Sequence, residues 1–169
     1  MRIESKRLIF KKVDRHDAEK LYRIFSNKEL TKYFVSGADK NLEQTERRVE
    51  KVIYHWEKNK FGDFIVFDKR TLKTIGFGGL HYKIDGGNIN ISYIVDKEYW
   101  RQGFGCEIAQ TMIKYGLNTL ELKKIVAEID PNNIPSIKLV EKYGFKYNRN
   151  IQYKGFERLE YIMFNSDIS

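Results

Sequence analysis

The sequence is poor in the residues that build cross-links and metal cages. Its 169 residues include one cysteine, Cys106, which excludes an internal disulfide and a cysteine-rich zinc site. Three histidines, His16, His55 and His81, are scattered without ligand spacing, so no metal is expected. The two prolines, Pro131 and Pro135, fall close together and leave no proline-rich linker. No stretch approaches the ~18 apolar residues of a membrane span, and Arg2, Glu4, Lys6 and Arg7 leave no room for an apolar leader. The expected setting is a reducing cytoplasm without a membrane partner.

Hydrophobic residues at 41% and charged residues at 32% fit an ordinary folded chain rather than a disordered one. No repeat or composition break appears, and the length suits one domain over residues 1–169. The net charge of +8 favours polyanionic partners, either nucleic acid or a coenzyme carrying several phosphates. Lys and Arg are scattered rather than run together with aromatics, so nucleic acid is not expected as a direct ligand. A basic RNA-associated protein stays as an alternative.

Leu8 to Lys12 predicts a first strand. Asp14 offers a helix cap before Ala18, Leu21, Tyr22 and Phe25, which recur at helical spacing. Asn41 caps a longer helix striped by Val49, Val52, Ile53 and Trp56, and Gly62 ends that region. Strands follow at Phe64 to Phe67, Ile75 to Ile84 and Ile89 to Val95, with the strongest hairpin signal at Asp85, Gly86 and Gly87. Beyond a polar connection, Phe104, Ile108, Met112 and Tyr115 stripe a helix. A strand at Lys124 to Asp130, a helix ending at Gly144 and two β-runs, Lys146 to Tyr153 and Arg158 to Phe164, complete the chain. The class is α/β (α+β), a mixed and mostly antiparallel sheet flanked by helices.

The strand ending at Val95 leads through Arg101 and Gln102 into Gly103, Phe104, Gly105 and Cys106, where a helix begins. Free N–H groups at a helix start favour an anion, and glycines let phosphate oxygens approach the backbone. A tight strand-to-helix connection is the competing explanation. No Gly-Lys-Ser/Thr follows, so the turn is not a Walker loop, and the third glycine of a dinucleotide fingerprint is missing.

The run from Tyr93 to Gly105 resembles the central motif of the GNAT acetyltransferases. Asp130, Pro131, Asn132, Asn133, Ile134, Pro135 and Ser136, followed by Glu141 to Phe145, resemble the family's second motif. The opening Ser5 to Phe10 is similar to the family's Thr-Glu-Arg-Leu-x-Leu start, and Tyr99-Trp100 before the turn points to its RimJ/RimL-like branch. The resemblance implies the GNAT fold, with a central sheet of about seven strands, and acetyl-CoA as cosubstrate. It implies that Ile94 and Val95 bind the pantetheine through their backbone. Arg101, Gln102, Gly103, Phe104, Gly105 and Cys106 would wrap the pyrophosphate, and Asn133 and Ser136 would contact the coenzyme arm. The partner implied is an amine-bearing acceptor, a peptide N-terminus or a small molecule, and a homodimer stays open. Trp100 stands where the family's motif usually has its first Gln or Arg, which shifts phosphate binding to Arg101, Gln102 and backbone.

Acetyl transfer needs a neutral amine, an oxyanion stabiliser and a leaving thiolate. Glu128 is the candidate catalytic base, at a position where some N-terminal acetyltransferases carry a glutamate; a second such position is Asn90 here. Many relatives place a tyrosine acid where this chain has Val140, which reads as core. His81 is a second candidate base, against a structural, hydrogen-bonded role. Tyr143 and Cys106 read as packing residues. Neutralising an α-amine of pKa ~7.8 at pH 7 costs about 1 kcal/mol, against about 4.6 for a lysine-type amine at ~10.4. Without a sure base, an α-amine suits this site better. A GNAT-like module that binds acyl-CoA without catalysis is the remaining alternative.

Overall fold

A computed structural model describes residues 1–83 and 87–167. Eight strands form one sheet in the order β1-β2-β3-β4-β5-β6-β8-β7. In chain order these are β1 (Arg2–Glu4), β2 (Leu8–Lys12), β3 (Asp63–Asp68), β4 (Thr74–Tyr82), β5 (Ile89–Val95), β6 (Lys124–Ile129), β7 (Lys146–Tyr153) and β8 (Phe156–Phe164). Every neighbouring pair is antiparallel except β5 and β6. Among the described residues four α-helices accompany them: α1 (Ala18–Phe25), α2 (Leu42–Asn59), α3 (Phe104–Lys114) and α4 (Ile134–Lys142). The sequence reading expected about seven strands. The addition is β1, three residues pairing Arg2 with Lys11 and Glu4 with Ile9, too short and charged to show a pattern of its own.

α1 and most of α2 cover one face, α3 and α4 cover the other, and Trp56 near the end of α2 joins the α3 side. Leu21 and Phe25 of α1 and Val49 of α2 pack on Ile65, Phe77 and Ile94. Phe104, Ile108 and Met112 of α3 and Val140 of α4 pack with Ile89, Ile91 and Val95. That division follows the two-residue period of β5, whose alternate side chains leave on opposite sides.

Local chemistry sets the ends. Asp14 accepts from the His16 N–H and donates its own N–H to Asp17, opening a 3-10 turn that runs into α1. Asn41 accepts from the Gln44 N–H and starts α2. The end of α2 differs from expectation: Lys60, at φ 66°, is the left-handed cap. Gly62 serves a different purpose, because a Cβ there would lie 2.7 Å from the Trp56 indole nitrogen. β4 and β5 pair up to Tyr82 opposite Ile89. Of the turn expected at Asp85, Gly86 and Gly87, the first two residues lie outside the described residues, as does Ile84 at the expected strand end. β7 and β8 join through Lys154 and Gly155, at φ 51° and 81°, the signature of a two-residue hairpin turn.

Phe64 knits the α3 side of the core. It is fully buried and meets Phe10, Trp56 and Tyr115 edge-on at 6.2, 5.0 and 5.9 Å. Phe64→Ala should cost about 3–5 kcal/mol of stability, and Phe64→Leu distinctly less. Chemical denaturation midpoints of the two variants check this.

Candidate active site

β5 and β6 run parallel and pair at Asn90 opposite Val126. Beyond that point the Asn90 side chain takes over, its Oδ1 accepting the Glu128 N–H at 3.1 Å. From Ile91 to Val95, β5 keeps β4 as its hydrogen-bonding partner on the other edge.

The phase of that ladder decides which backbone groups face the gap. The Asp96 N–H donates to the Ile75 carbonyl, and the carbonyls of Ile94 and Ser92 lie against Gly76 and Gly78 of β4. Backbone groups alternate along a strand, so those of Tyr93 and Val95 point away from β4 into the gap. The Ile94 main chain serves the β4 ladder and its side chain packs on the α1 side, so the main-chain groups that face the gap beside those of Val95 belong to Tyr93. The Trp100 indole N–H donates to the Val95 carbonyl at 2.8 Å, tying the following turn to the strand end.

That turn is wound tightly. Arg101 and Gly103 both adopt positive φ, 60° and 79°, and α3 begins at Phe104 with no side chain capping it. A non-glycine residue held in the left-handed region carries strain, a recurrent feature of functional turns. The first-turn N–H groups therefore stay available to an anion. Arg101, Gln102 and Gly103 are exposed, while Phe104 is buried against Tyr99 and offers only its backbone. Gln102 donates to the Glu98 carbonyl.

An N-terminal residue braces the turn, which motif matching did not place there. The Arg7 guanidinium donates to the Gln102 carbonyl at 2.9 Å and lies 4.1 Å from the Phe104 ring centroid. Its Nε meets Glu107 at 2.6 Å, and Glu107 also accepts from the Ser5 hydroxyl and the Arg7 N–H. Burial alone would raise the Glu107 pKa. The bonds from Ser5 and Arg7 outweigh it and hold the carboxyl below its ordinary range.

A cleft of about 530 Å³ opens at the parting of β5 and β6, lined by Tyr93, Glu128, Asn133 and Ser136 among others. The Arg101–Cys106 turn lies outside this lining, but Gly105 adjoins the Tyr93 ring, 3.5 Å from the position its Cβ would take. Asn133 caps α4 by accepting the Ser136 N–H at 3.4 Å, and the Ser136 and Tyr93 hydroxyls are 3.2 Å apart. Burial raises the Tyr93 pKa. Val140 is buried in the core, and the Tyr143 hydroxyl donates to the Cys106 carbonyl, joining the end of α4 to the start of α3.

Glu128 and His81 line the cleft close to the end of the β5–β6 pairing, and either could take a proton. Glu128, opposite Glu160 on β8, is ion-paired with Lys83. His81, paired with Asn90 across the ladder, lies 3.2 Å through Nδ1 from Asp63. Burial alone would lower the His81 pKa, but the charge and hydrogen bond of Asp63, with the charge of Glu128, raise it above the ordinary value. Its neighbour His55 goes the other way, lowered by burial. His55 Nδ1 sits on the Phe61 carbonyl while Nε2 accepts the Tyr82 N–H, which fixes the neutral ring.

A family model described as an acetyltransferase (GNAT) domain matches residues 7–146. The uncharacterized N-acetyltransferase YoaA of Bacillus subtilis (strain 168) is 31% identical over 150 residues, spanning 85% of this chain and 82% of that protein. A GNAT-family acetyltransferase structure from Bacillus anthracis superposes with a TM-score of 0.84 at 23% identity, covering 98% of this chain and 99% of that one. RimL, a ribosomal L7/L12 alpha-N-protein acetyltransferase solved in complex with coenzyme A, gives 0.81 at 15% identity over 97% and 98%. A spermidine N-acetyltransferase from Vibrio cholerae, in complex with CoA and spermine, gives 0.80 at 18% over 96% and 98%. The likeness to these structures lies in the fold. The family match over most of the chain, with the YoaA identity, carries more: this chain belongs to the GNAT acetyltransferases and is an acyltransferase of the N-acetyltransferase kind.

Proposed function

We propose that the chain, acting as one cytoplasmic domain, moves an acetyl group from acetyl-CoA to a primary amine by direct attack. The observation that carries this reading is the β5 edge at Tyr93 and Val95, turned to the gap beside the uncapped start of α3. The Tyr93 main chain and the Val95 N–H, whose carbonyl is already held by Trp100, pair with the pantetheine amides, and one of the two N–H groups polarises the thioester carbonyl. The N–H groups of Gly103 to Cys106 hold the pyrophosphate, with the exposed Arg101 side chain adding positive charge. Asn133 and Ser136 border the arm. Bound acetyl-CoA supplies an activated acyl group with a thiolate, a far weaker base than an alkoxide, as leaving group. Such a thiolate leaves without a strong acid, which suits a site whose Val140 is core.

Glu128 takes the amine proton, directly or through water, with His81 beside it as a second acceptor. A peptide-type α-amine is favoured because it is the easier amine to present neutral. The resemblance of the Tyr99-Trp100 turn to the RimJ/RimL-like branch is in keeping with that acceptor.

A thiol-release assay over an amine panel tests the reading; the absence of both acetyl-CoA binding and turnover would sink it. Gly103→Val should raise the acetyl-CoA KM about tenfold or more, since a β-branched residue is strained at this φ and obstructs the N–H cradle. Glu128→Gln should lower kcat about a hundredfold while leaving the acetyl-CoA KM unchanged. An unaltered kcat would pass the proton-accepting role to His81.

Folded His81 binds its proton more tightly than unfolded histidine. The stabilisation that Asp63 gives through it is therefore fully present below the unfolded pKa near ~6.5 and is lost as pH rises through the folded value. Asp63→Asn should lower the His81 titration midpoint seen by NMR. It should also cost more stability at pH 5.5 than at pH 8.5.

A further inference from the structure

The far wall of the cleft is untouched by the groups assigned to the coenzyme. It is made from the loop at Tyr33, from Arg48 and Lys51 of α2, from Lys154 at the β7–β8 turn, and from Arg158 of β8. Four Lys or Arg side chains thus line the cleft, against two carboxylates, Glu128 and Asp130. Both carboxylates are already matched, Glu128 by Lys83 and Asp130 by Arg158 at 3.5 Å. Arg48 is matched by Asp39 at 2.7 Å. Arg158 is buried, and it also donates to the Tyr33 carbonyl at 2.7 Å, clamping the loop to β8.

Lys51 and Lys154 differ. Among the described residues neither has an ion-pair partner, although both border the same cleft. The backbone of Lys154 is held by its left-handed turn, and its ammonium lies 5.5 Å from the Tyr153 ring centroid. Both lysines are solvent-exposed, and their unpaired charges add to the positive potential along the cleft. A polycationic amine would meet this potential, and among the described residues the carboxylates lining the cleft are both ion-paired already.

We infer that the acceptor carries a carboxylate close to its amine, as a free acidic amino acid or as an acidic peptide N-terminus. Lys51 and Lys154 receive the carboxylate, and the amine points to the parting of β5 and β6. The reaction at that amine rests on the acetyl-transfer reading; the binding preference does not.

The probes are free glutamate, the peptide Asp-Glu-Ala-Ala amide, its uncharged counterpart Asn-Gln-Ala-Ala amide, and spermidine. Each is measured both for acetylation and for equilibrium binding to the CoA-loaded protein. Carboxylate-bearing probes should exceed the uncharged peptide about tenfold in kcat/KM at low salt and lose that lead as salt rises. Free glutamate against peptide separates the two sources. K51A/K154A should erase the preference with the acetyl-CoA KM unchanged, and K51R/K154R should restore it, which excludes a folding artefact. Lysine-dependent binding of the acidic peptide without acetylation would support the surface while overturning acetyl transfer. Acetylation of spermidine in preference to every carboxylate-bearing probe would do the reverse, and so would a preference that survives K51A/K154A.

Discussion

The architecture turns on the parting of two parallel strands. Antiparallel neighbours on both sides fix β5 against β4 and β6 against β8, so neither strand can follow the other once the ladder between them ends. Open main-chain groups inside a folded chain are costly unless water or a ligand satisfies them. A gap with such an edge, set between packed helices, is therefore a place prepared for a partner. Asn90 limits the cost by lending its side chain to the Glu128 N–H where the ladder stops.

The second constraint is how the turn before α3 keeps its shape. Arg101 in the left-handed region is strained, and the brace comes from far away in sequence. Ser5 and Arg7 converge on Glu107 in the first turn of α3, and the Arg7 guanidinium reaches the Gln102 carbonyl. The half-buried Glu107 carboxylate stays ionised because three donors surround it, so a charged pair here is also well hydrogen-bonded. The N-terminal segment thus takes part in the geometry of the candidate site, although its residues look like an ordinary charged start.

Features governed by neighbours in sequence were legible in advance. Asn41 before a helical stripe, Gly103 before α3, and Asn133 with Pro135 at the start of α4 all act through local backbone geometry. Features governed by phase or by distant contacts were not. Alternation along Ile89–Val95 is visible, but which alternate residues turn their N–H groups toward β4 depends on register, and hence Tyr93 rather than Ile94 faces the gap. The His81–Asp63 pair and the Arg158–Tyr33 clamp join segments whose approach only the sheet order determines. The Lys154-Gly155 turn carries a local glycine signal, yet its relevance to the cleft comes from where β8 places it.

Trp100 has a practical consequence. The chain has two tryptophans, and their surroundings are unlike. Trp56 is sealed in the core with its indole N–H on the Asp63 carbonyl, whereas Trp100 is 39% exposed beside the Arg101–Gly103 turn and bonded to the end of β5. One indole therefore emits from a constant apolar interior, and the other sits at the junction where a phosphate-bearing ligand would arrive. A phosphate-bearing ligand bound at the turn would therefore alter one indole and leave the other unchanged, so its binding could be followed without any added label.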